Sequence, residues 1–353
     1  MKEIRLANRI IGEKTPVFII AEAGVNHNGK VELAKELIDI AAQSGADAVK
    51  FQAFKAENIV TEKAEKAAYQ KKGTAYNEKS QFSMLKQLEL SKKDFTKLCD
   101  YAHKKKIIFL ATPFDKESVD LLDDLNLPAI KISSGEITNL PFIRYIAEKK
   151  KPIILSTGIS TIDEIEDALN VIHQSGNDNL ILLHCVTSYP AEKCEMNLRT
   201  IKTLKEHFEH PVGISDHTLG IIIPIAAVAL GAVVVEKHFT LDRTMQGPDQ
   251  KMSLEPDELA EMVKSIREVE EALGDGIKKP TRAEKEIKVA VRRSIVAKVE
   301  INKGDIITER MLDFKRPANG LEPKFSNKII GLRAKKRIKP DELITFDNLV
   351  KEP

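Results

Sequence analysis

"VVVEKHFT", residues 233–240, is a short apolar run that ends on a glutamate, a lysine and a histidine instead of on turn residues. A run of this length, rich in β-branched side chains, reads as a buried strand, and its lack of polar alternation points to a parallel sheet covered on both faces. Seven runs of the same kind precede it: "VFIIAEAG" (17–24), "DAVKFQ" (47–52), "IIFLATP" (107–113), "AIKISSG" (129–135), "PIILSTG" (152–158), "LILLHCV" (180–186) and "PVGISDHT" (211–218). Segments with helical spacing lie between them. In "KVELAKELIDIAAQSGA" (30–46), Leu33, Leu37, Ile38 and Ala41 share a face. "STIDEIEDALNVIHQSG" (160–176) opens on Thr161 with Glu164 three residues on, the signature of a capping box. Strand then helix, eight times over, predicts an α/β fold of the (β/α)8 TIM-barrel type; an open doubly wound sheet is the competitor, and it usually needs fewer units.

With 353 residues the chain has room for one large domain and a smaller one. The eighth helix, "PDELAEMVKSIREVEEALG" (256–274), runs into the charged, Gly- and Pro-containing "DGIKKPTRAEKE" (275–286). Beyond it, short strand-like runs and tight K-G-D and K-P-D turns predict a compact β-rich module of roughly 60 residues, near the lower limit for independent folding. The expected boundaries are therefore a catalytic barrel over 1–275, a linker over 276–290 and a small domain over 291–353. The segment 53–91 is too long for a tight connection and predicts an insertion over the barrel mouth, a candidate lid.

Charge is abundant but balanced, 31% of residues with a formal net of +2, so no general field would draw in nucleic acid. Cys99, Cys185 and Cys194 form no C-x-x-C pair and leave one thiol over, which suits a reducing compartment and sets the expectation of a cytoplasmic protein. No export signal or membrane-spanning run is apparent, so neither membrane nor nucleic acid is an expected partner.

In a barrel of this type the chemistry sits where the strands end. The eight runs deliver Glu22; Lys50 and Gln52; Thr112; Lys131, Ser134 and Glu136; Ser156 and Thr157; His184, with Thr187 and Tyr189 just beyond; Ser215, Asp216 and His217; and Glu236 and His238. Strand ends collect solvated polar residues in any protein, but all eight doing so at one rim favours a site. Period-two alternation puts Ser215 and His217 on one face of the seventh strand, and Glu236 and His238 on one face of the eighth. A lone strand histidine is more often a hydrogen-bonded core residue, whereas two on neighbouring strand ends can hold a divalent metal and leave positions open for water or a substrate oxygen. Lys50 and Lys131, with the hydroxyls of Thr112, Ser134, Ser156 and Ser215, suit a phosphate or carboxylate, although a lysine beside a strand can also snorkel to solvent. Glu22, Glu136 and Asp249 supply carboxylates for acid or base work.

The series "FIIAEAGVNHNG", "AVKFQ", "ATPF", "KISSGE", "LSTG", "GISDHT", "EKHFTLD" and "GPDQKMSLEP" resembles the motifs of the sialic acid synthase family, and "RRSIVAK", "GDIIT", "KRPANGL" and "IIGLRAKKRIKPDELI" resemble its antifreeze-like (SAF) domain. The resemblance implies condensation of phosphoenolpyruvate with an N-acetylated hexose such as N-acetylmannosamine, plus water, to give N-acetylneuraminate or a related nonulosonic acid and phosphate. It also implies a divalent metal, Mn²⁺ or Mg²⁺, and a domain-swapped homodimer. Carried onto matching positions, it makes His217 and His238 the metal ligands. Lys50, Thr112, Lys131, Ser134, Ser156 and Ser215 become the phosphoenolpyruvate site, with Glu136 beside it, while Glu22, Tyr189 and Asp249 face the acceptor. Arg316, in "KRPANG", would reach the sugar's N-acetyl group from a partner subunit. Thr187 and Arg292 depart from the residues some members carry near the acceptor, so N-acetylneuraminate, legionaminate and spore-coat polysaccharide synthases stay open as alternatives.

Two readings of other classes compete. A class I Schiff-base aldolase would need a barrel lysine as nucleophile, and Lys237 alternates to the face opposite His238. A non-enzymatic carbohydrate- or ice-binding protein would rest on the C-terminal module, which is charged, lacks a repeated threonine array and leaves the polar rim unexplained.

Overall fold

The computed structural model describes residues 2–66 and 80–350. Contacts divide the chain into two units, Met1–Gly274 and Asp275–Pro353. The first opens with a hairpin, β1 (Ile4–Leu6) and β2 (Arg9–Ile11), turning at Ala7 with φ +52°. Eight parallel strands follow: β3 (Phe18–Gly24), β4 (Ala48–Ala53), β5 (Ile108–Pro113), β6 (Ile130–Ile132), β7 (Ile153–Ser156), β8 (Leu180–Cys185), β9 (Val212–Asp216) and β10 (Val234–His238). Their ladder order is β5-β4-β3-β10-β9-β8-β7-β6. The end strands β5 and β6 lie against one another, so the sheet curls into a nearly closed barrel as the eight repeats predict.

Strand alternation sorts the barrel into two cores. Outward-facing Ile19, Ala21, Val49, Leu155 and Val235 pack under the surrounding helices. Phe18, Ile20, Ala48, Leu110, Ile154, Leu183 and Val234 fill the barrel interior, together with Ile4, Leu6 and Ile11 of the hairpin. The hairpin thus plugs the N-terminal end of the barrel. Its three-residue strands are too short to announce themselves in the sequence. Each large side chain so buried contributes about 1.5–3 kcal/mol relative to exposure.

Local signals set the helices. Thr161 and Glu164 form the expected capping box on the helix Ile162–Gln174. On Val31–Gln43 the buried face is Ala34, Leu37, Ile38 and Ala41. Leu33 lies at the flank of that stripe because the 3.6-residue repeat runs through position 34. The fourth run shortens to Ile130–Ile132, and the chain then turns into a 3-10 helix, Ser134–Glu136, capped by Ser133. From the long insertion, Ala56–Ile59 and Gln81–Leu88 are helical, while positions 67–79 of the expected lid lie outside the described residues.

The second unit begins with a helix, Arg282–Val291, within the stretch read as a linker; Thr281 and Glu284 cap it, and none of its residues is buried. Antiparallel β11 (Ser294–Ala297) and β12 (Leu312–Lys315), then β13 (Arg333–Ala334) and β14 (Leu349–Val350), enclose a separate core of Ile295, Ile301, Ile307, Ile329, Ile338 and Ile344. No helix among the described residues is long and apolar enough to cross a membrane.

Candidate active site

The inward parity that buries Phe18 and Ile20 continues to Glu22, and the same step leads from Ala48 to Lys50, Leu110 to Thr112, Ala129 to Lys131, Ile154 to Ser156, and Val234 to Glu236 and His238. The barrel interior thus changes from apolar to ionisable within one residue layer at its C-terminal end. Register fixes the neighbours: His238 pairs with Glu22, Glu22 with Lys50, Lys50 with Leu110 and Glu236 with Ser215.

Four charges, each nearly withdrawn from water, make the floor of a narrow well of about 60 Å³. Lys50 Nζ lies 2.7 Å from Glu22 and 3.6 Å from Glu236, and donates to Thr112 Oγ1 at 2.9 Å. Lys131 Nζ donates to Ser156 Oγ at 2.6 Å and stands 3.8 Å from Glu236, which also accepts from Ser215 at 2.8 Å. Burial pushes Glu22 up to about 7; Lys50 pulls against that shift, and the like charge of Glu236 adds to it. Burial would raise Glu236 too, but Lys131 and Lys50 outweigh it and hold that carboxyl below its ordinary value. Lys131 is lowered by burial, whereas Glu22 and Glu236 overcome burial at Lys50 and raise it. Two carboxyls with opposed shifts, one ready to carry a proton and one held as an anion, are the arrangement acid–base chemistry needs.

The two imidazoles stand above this floor, ring centroids 5.4 Å apart, with the Tyr189 ring 4.2 Å from that of His217. His217 Nδ1 donates to Val186 O at 2.8 Å, which leaves its Nε2 as the free ring nitrogen. His238 is buried with Nδ1 meeting no hydrogen-bond partner among the described residues, and burial together with His217 holds its basicity well below the usual histidine value. Burial lowers His217, but Cys185 and the Val186 carbonyl outweigh it and hold its basicity above the usual histidine value. Two imidazoles facing one well, one of them with an unpartnered nitrogen, are a donor set that fits a divalent cation. No set of three or more His, Cys, Asp or Glu side chains among the described residues completes a cage, so two imidazoles are what this chain offers.

Above the well opens a cavity of about 530 Å³ that shares Gln52, Phe114, Thr187, Tyr189 and His238 with it. Asp249 lies on its wall, almost wholly buried and pushed up to about 6 by that burial, against the pull of His217. The Asn-His-Asn-Gly loop after β3 secures this wall. Asn26 Nδ2 donates to Ser253 Oγ at 2.9 Å, Ser253 Oγ to Asp249 O at 2.7 Å, and Asn28 Nδ2 to Gln246 O at 2.7 Å. Another part of its lining is apolar: Phe54, Ile59, Met84, Leu85 and Leu88, all from the long insertion. A larger cavity, about 680 Å³, opens around Gly12–Val17 and Glu270 and gathers none of these groups.

Of the residues singled out from sequence, Glu22, Lys50, Thr112, Lys131, Ser134, Ser156, Tyr189, Ser215, His217 and His238 line the well, and Asp249 lines the cavity above it. Glu136 lines neither; it is half-buried on the 3-10 helix and accepts from Asn139 Nδ2 at 2.8 Å. Arg316 is exposed at the end of β12 in the second unit. Three rim residues turn outward: His184 is bonded to Met196 O at 2.6 Å, Thr157 Oγ1 donates to Leu183 O at 3.0 Å, and Asp216 pairs with Lys237. Glu236, Gln52 and Cys185 join the well, and strand parity was the signal that marks them.

Comparison with known proteins adds identity to this geometry. The NeuB family profile matches residues 37–278 and the SAF domain profile residues 292–350. The N,N'-diacetyllegionaminic acid synthase of Campylobacter jejuni subsp. jejuni is 55% identical over 92% of this chain and 98% of its own length. That of Legionella pneumophila subsp. pneumophila is 44% identical over 96% of each chain. The crystal structure of N-acetylneuraminic acid (sialic acid) synthetase from Leptospira borgpetersenii, in complex with citrate, superposes with a TM-score of 0.72 at 40% identity, covering 81% of this chain and 94% of that one. Likeness of that extent, in sequence and in fold, makes this chain a member of the NeuB family.

Proposed function

We propose that the chain condenses phosphoenolpyruvate with an N-acetylated hexose and water, releasing phosphate and a 2-keto-3-deoxy nonulosonic acid. The observation that carries this reading is the buried Lys50–Glu22–Glu236–Lys131 set beneath two facing imidazoles, in a chain whose relatives are named synthases of such acids. The acceptor is a 2,4-diacetamido-trideoxyhexose, giving a legionaminate-type product. Two features support that choice: the 55% identity to a legionaminic acid synthase, and the apolar wall of Phe54, Ile59, Met84, Leu85 and Leu88, which suits a sugar that has lost hydroxyls. N-acetylmannosamine is the second reading, favoured by the likeness to the Leptospira enzyme.

In this mechanism Lys50 and Lys131, with the hydroxyls of Thr112, Ser134, Ser156 and Ser215, bind the phosphate and carboxylate of phosphoenolpyruvate. His217 and His238 would hold a divalent cation, Mn²⁺ or Mg²⁺, whose chemistry is to polarise the acceptor aldehyde. Tyr189 and Asp249 orient the sugar. Glu22 holds or releases a proton as C3 of phosphoenolpyruvate bonds to C1 of the sugar and water adds at C2, while anionic Glu236 keeps both lysines charged. Loss of phosphate from C2 then leaves the keto acid. The homodimer and the contribution of Arg316 to the N-acetyl group belong to the same proposal.

An acceptor panel tests it. Phosphoenolpyruvate and Mn²⁺ are supplied with N-acetylmannosamine, its 6-phosphate and 2,4-diacetamido-trideoxyhexoses, and free phosphate is followed. The expected result is strong release with one diacetamido sugar, abolished by chelation and by His217→Ala. No release above the His217→Ala background with any acceptor would overturn the assignment. A Schiff-base aldolase would instead be trapped by borohydride with pyruvate, and Lys237, the lysine beside His238, is engaged by Asp216.

A further inference from the structure

Behind the two imidazoles lies an ion pair that the reaction does not use. Asp216 and Lys237 are the residues next to His217 and His238, and alternation points their side chains out of the barrel, where both are fully buried. Lys237 Nζ donates to Asp216 Oδ2 at 2.5 Å and also to the carbonyl oxygen of Thr218. Asp216 in turn accepts from Thr218 N at 3.0 Å and from Thr218 Oγ1 at 3.0 Å. The three residues form one closed polar cluster in a layer otherwise built of apolar side chains.

Position gives the cluster its meaning. The ladder between β9 and β10 ends at the Asp216–Lys237 rung. His238 is still inside the sheet, paired with Glu22 and holding Leu254 N through its carbonyl oxygen. His217 is already beyond it, with no ladder partner on β10. The Asp216 carboxylate closes the turn over His217 through Thr218, and Lys237 reaches past that same turn to its carbonyl, so the backbone of His217 is tied down on both sides. Buried ion pairs are poor stabilisers, and apolar replacements of similar volume are often neutral or favourable. A staple that served stability alone would not need two charges here.

We propose that the Asp216–Lys237 pair is a positioning element that sets the His217 imidazole at its working distance from His238. The proposal rests on the reading that these two rings hold the cation. Its test uses the full-length protein carrying Asp216→Leu with Lys237→Met, beside Asp216→Asn, which keeps the acceptor for Thr218 N. The double variant is expected to melt within a few degrees of wild type, yet to bind Mn²⁺ at least tenfold more weakly by electron paramagnetic resonance titration. Its kcat should fall at least thirtyfold while KM for phosphoenolpyruvate changes less than threefold, and Asp216→Asn should lie between. A double variant with wild-type Mn²⁺ affinity and kcat overturns the proposal, as does a loss that merely follows a collapse in Tm. If wild type bound no Mn²⁺, the metal reading alone would fail. The pair would then be decided by the crystal structure of the double variant, where the centroids must part by more than about an ångström from their present 5.4 Å; unmoved rings refute it.

Discussion

Lys50 Nζ lies 2.7 Å from Glu22 Oε2 with both side chains almost entirely shut away from water. Glu22 is raised to about 7 by its burial, so at neutral pH it can take up a proton if the lysine is removed. Lys50→Met should therefore destabilise by less than the roughly 3–5 kcal/mol usual for a broken buried pair. Activity should respond differently, because the lost cation faces the substrate anion: kcat/KM for phosphoenolpyruvate is expected to fall roughly 10²–10³-fold. Adding Glu22→Gln to Lys50→Met should recover part of the lost Tm and none of the activity. Thermal melts and phosphate release on the two variants check both halves, and recovery of turnover would move Lys50 out of the substrate site.

The apolar wall makes a prediction about selectivity. Met84 and Leu88 are nearly fully buried on the helix Gln81–Leu88 and line the outer cavity. Leu88→Asn or Met84→Ser would set a polar group against the deoxygenated carbons of a diacetamido-trideoxyhexose. A missing apolar contact in such a pocket is worth about 1–3 kcal/mol, or some 10–200-fold. The variants should lose kcat/KM for that acceptor by such a factor and lose far less for N-acetylmannosamine. Equal losses for the two sugars would take the wall out of acceptor choice.

Gly158 offers a test of the anion site that leaves its charges alone. Its amide donates to Ser134 Oγ at 2.9 Å. A Cβ there would come within 2.2 Å of Thr187 Oγ1 and 2.8 Å of Ser134 Oγ. Gly158→Ala must displace both hydroxyls, a crowding that costs about 1–3 kcal/mol. The expected outcome is a folded protein with KM for phosphoenolpyruvate raised about tenfold or more, read from initial rates. An unchanged KM would show that Ser134 does not contact this substrate.

How far the sequence carried these features depends on whether each is local. The barrel was legible because eight apolar runs and their helices each bury a face by local periodicity, and period-two alternation alone put His217 and His238 on one side. The same alternation separated Lys237 from the site. Glu236 was visible at the strand end, but its part in the charge set depends on Lys50 and Lys131 arriving from β4 and β6, contacts that no single segment encodes. Glu136 sits on a 3-10 helix and not on a strand end, because β6 stops at Ile132 and the chain turns there, which the run "KISSGE" does not betray. The inner face of the long insertion was likewise hidden, since its apolar residues show their use only when Val25, Phe54, Met84 and Leu88 cluster over the mouth.

His27 gives a pH dependence that is separate from catalysis. The ring is fully buried, accepts from Gly29 N at 3.0 Å through Nδ1, and its Nε2 meets no hydrogen-bond partner among the described residues. Burial lowers its pKa from 6.5 to about 4, so the folded protein resists a proton that the unfolded chain accepts readily. Stability from this group is fully present above pH 6.5 and is lost as pH falls through the folded value near 4, in the window where only the unfolded state binds the proton. The shift corresponds to about 3 kcal/mol, with a slope of roughly 1.4 kcal/mol per pH unit at its steepest. Urea unfolding at pH 7 and at pH 4 measures it directly. His27→Asn, which can still accept from Gly29 N, should be less stable than wild type at pH 7 but should lose about 3 kcal/mol less between the two pH values. The same pH loss in both proteins would mean that His27 takes up its proton without unfolding the barrel.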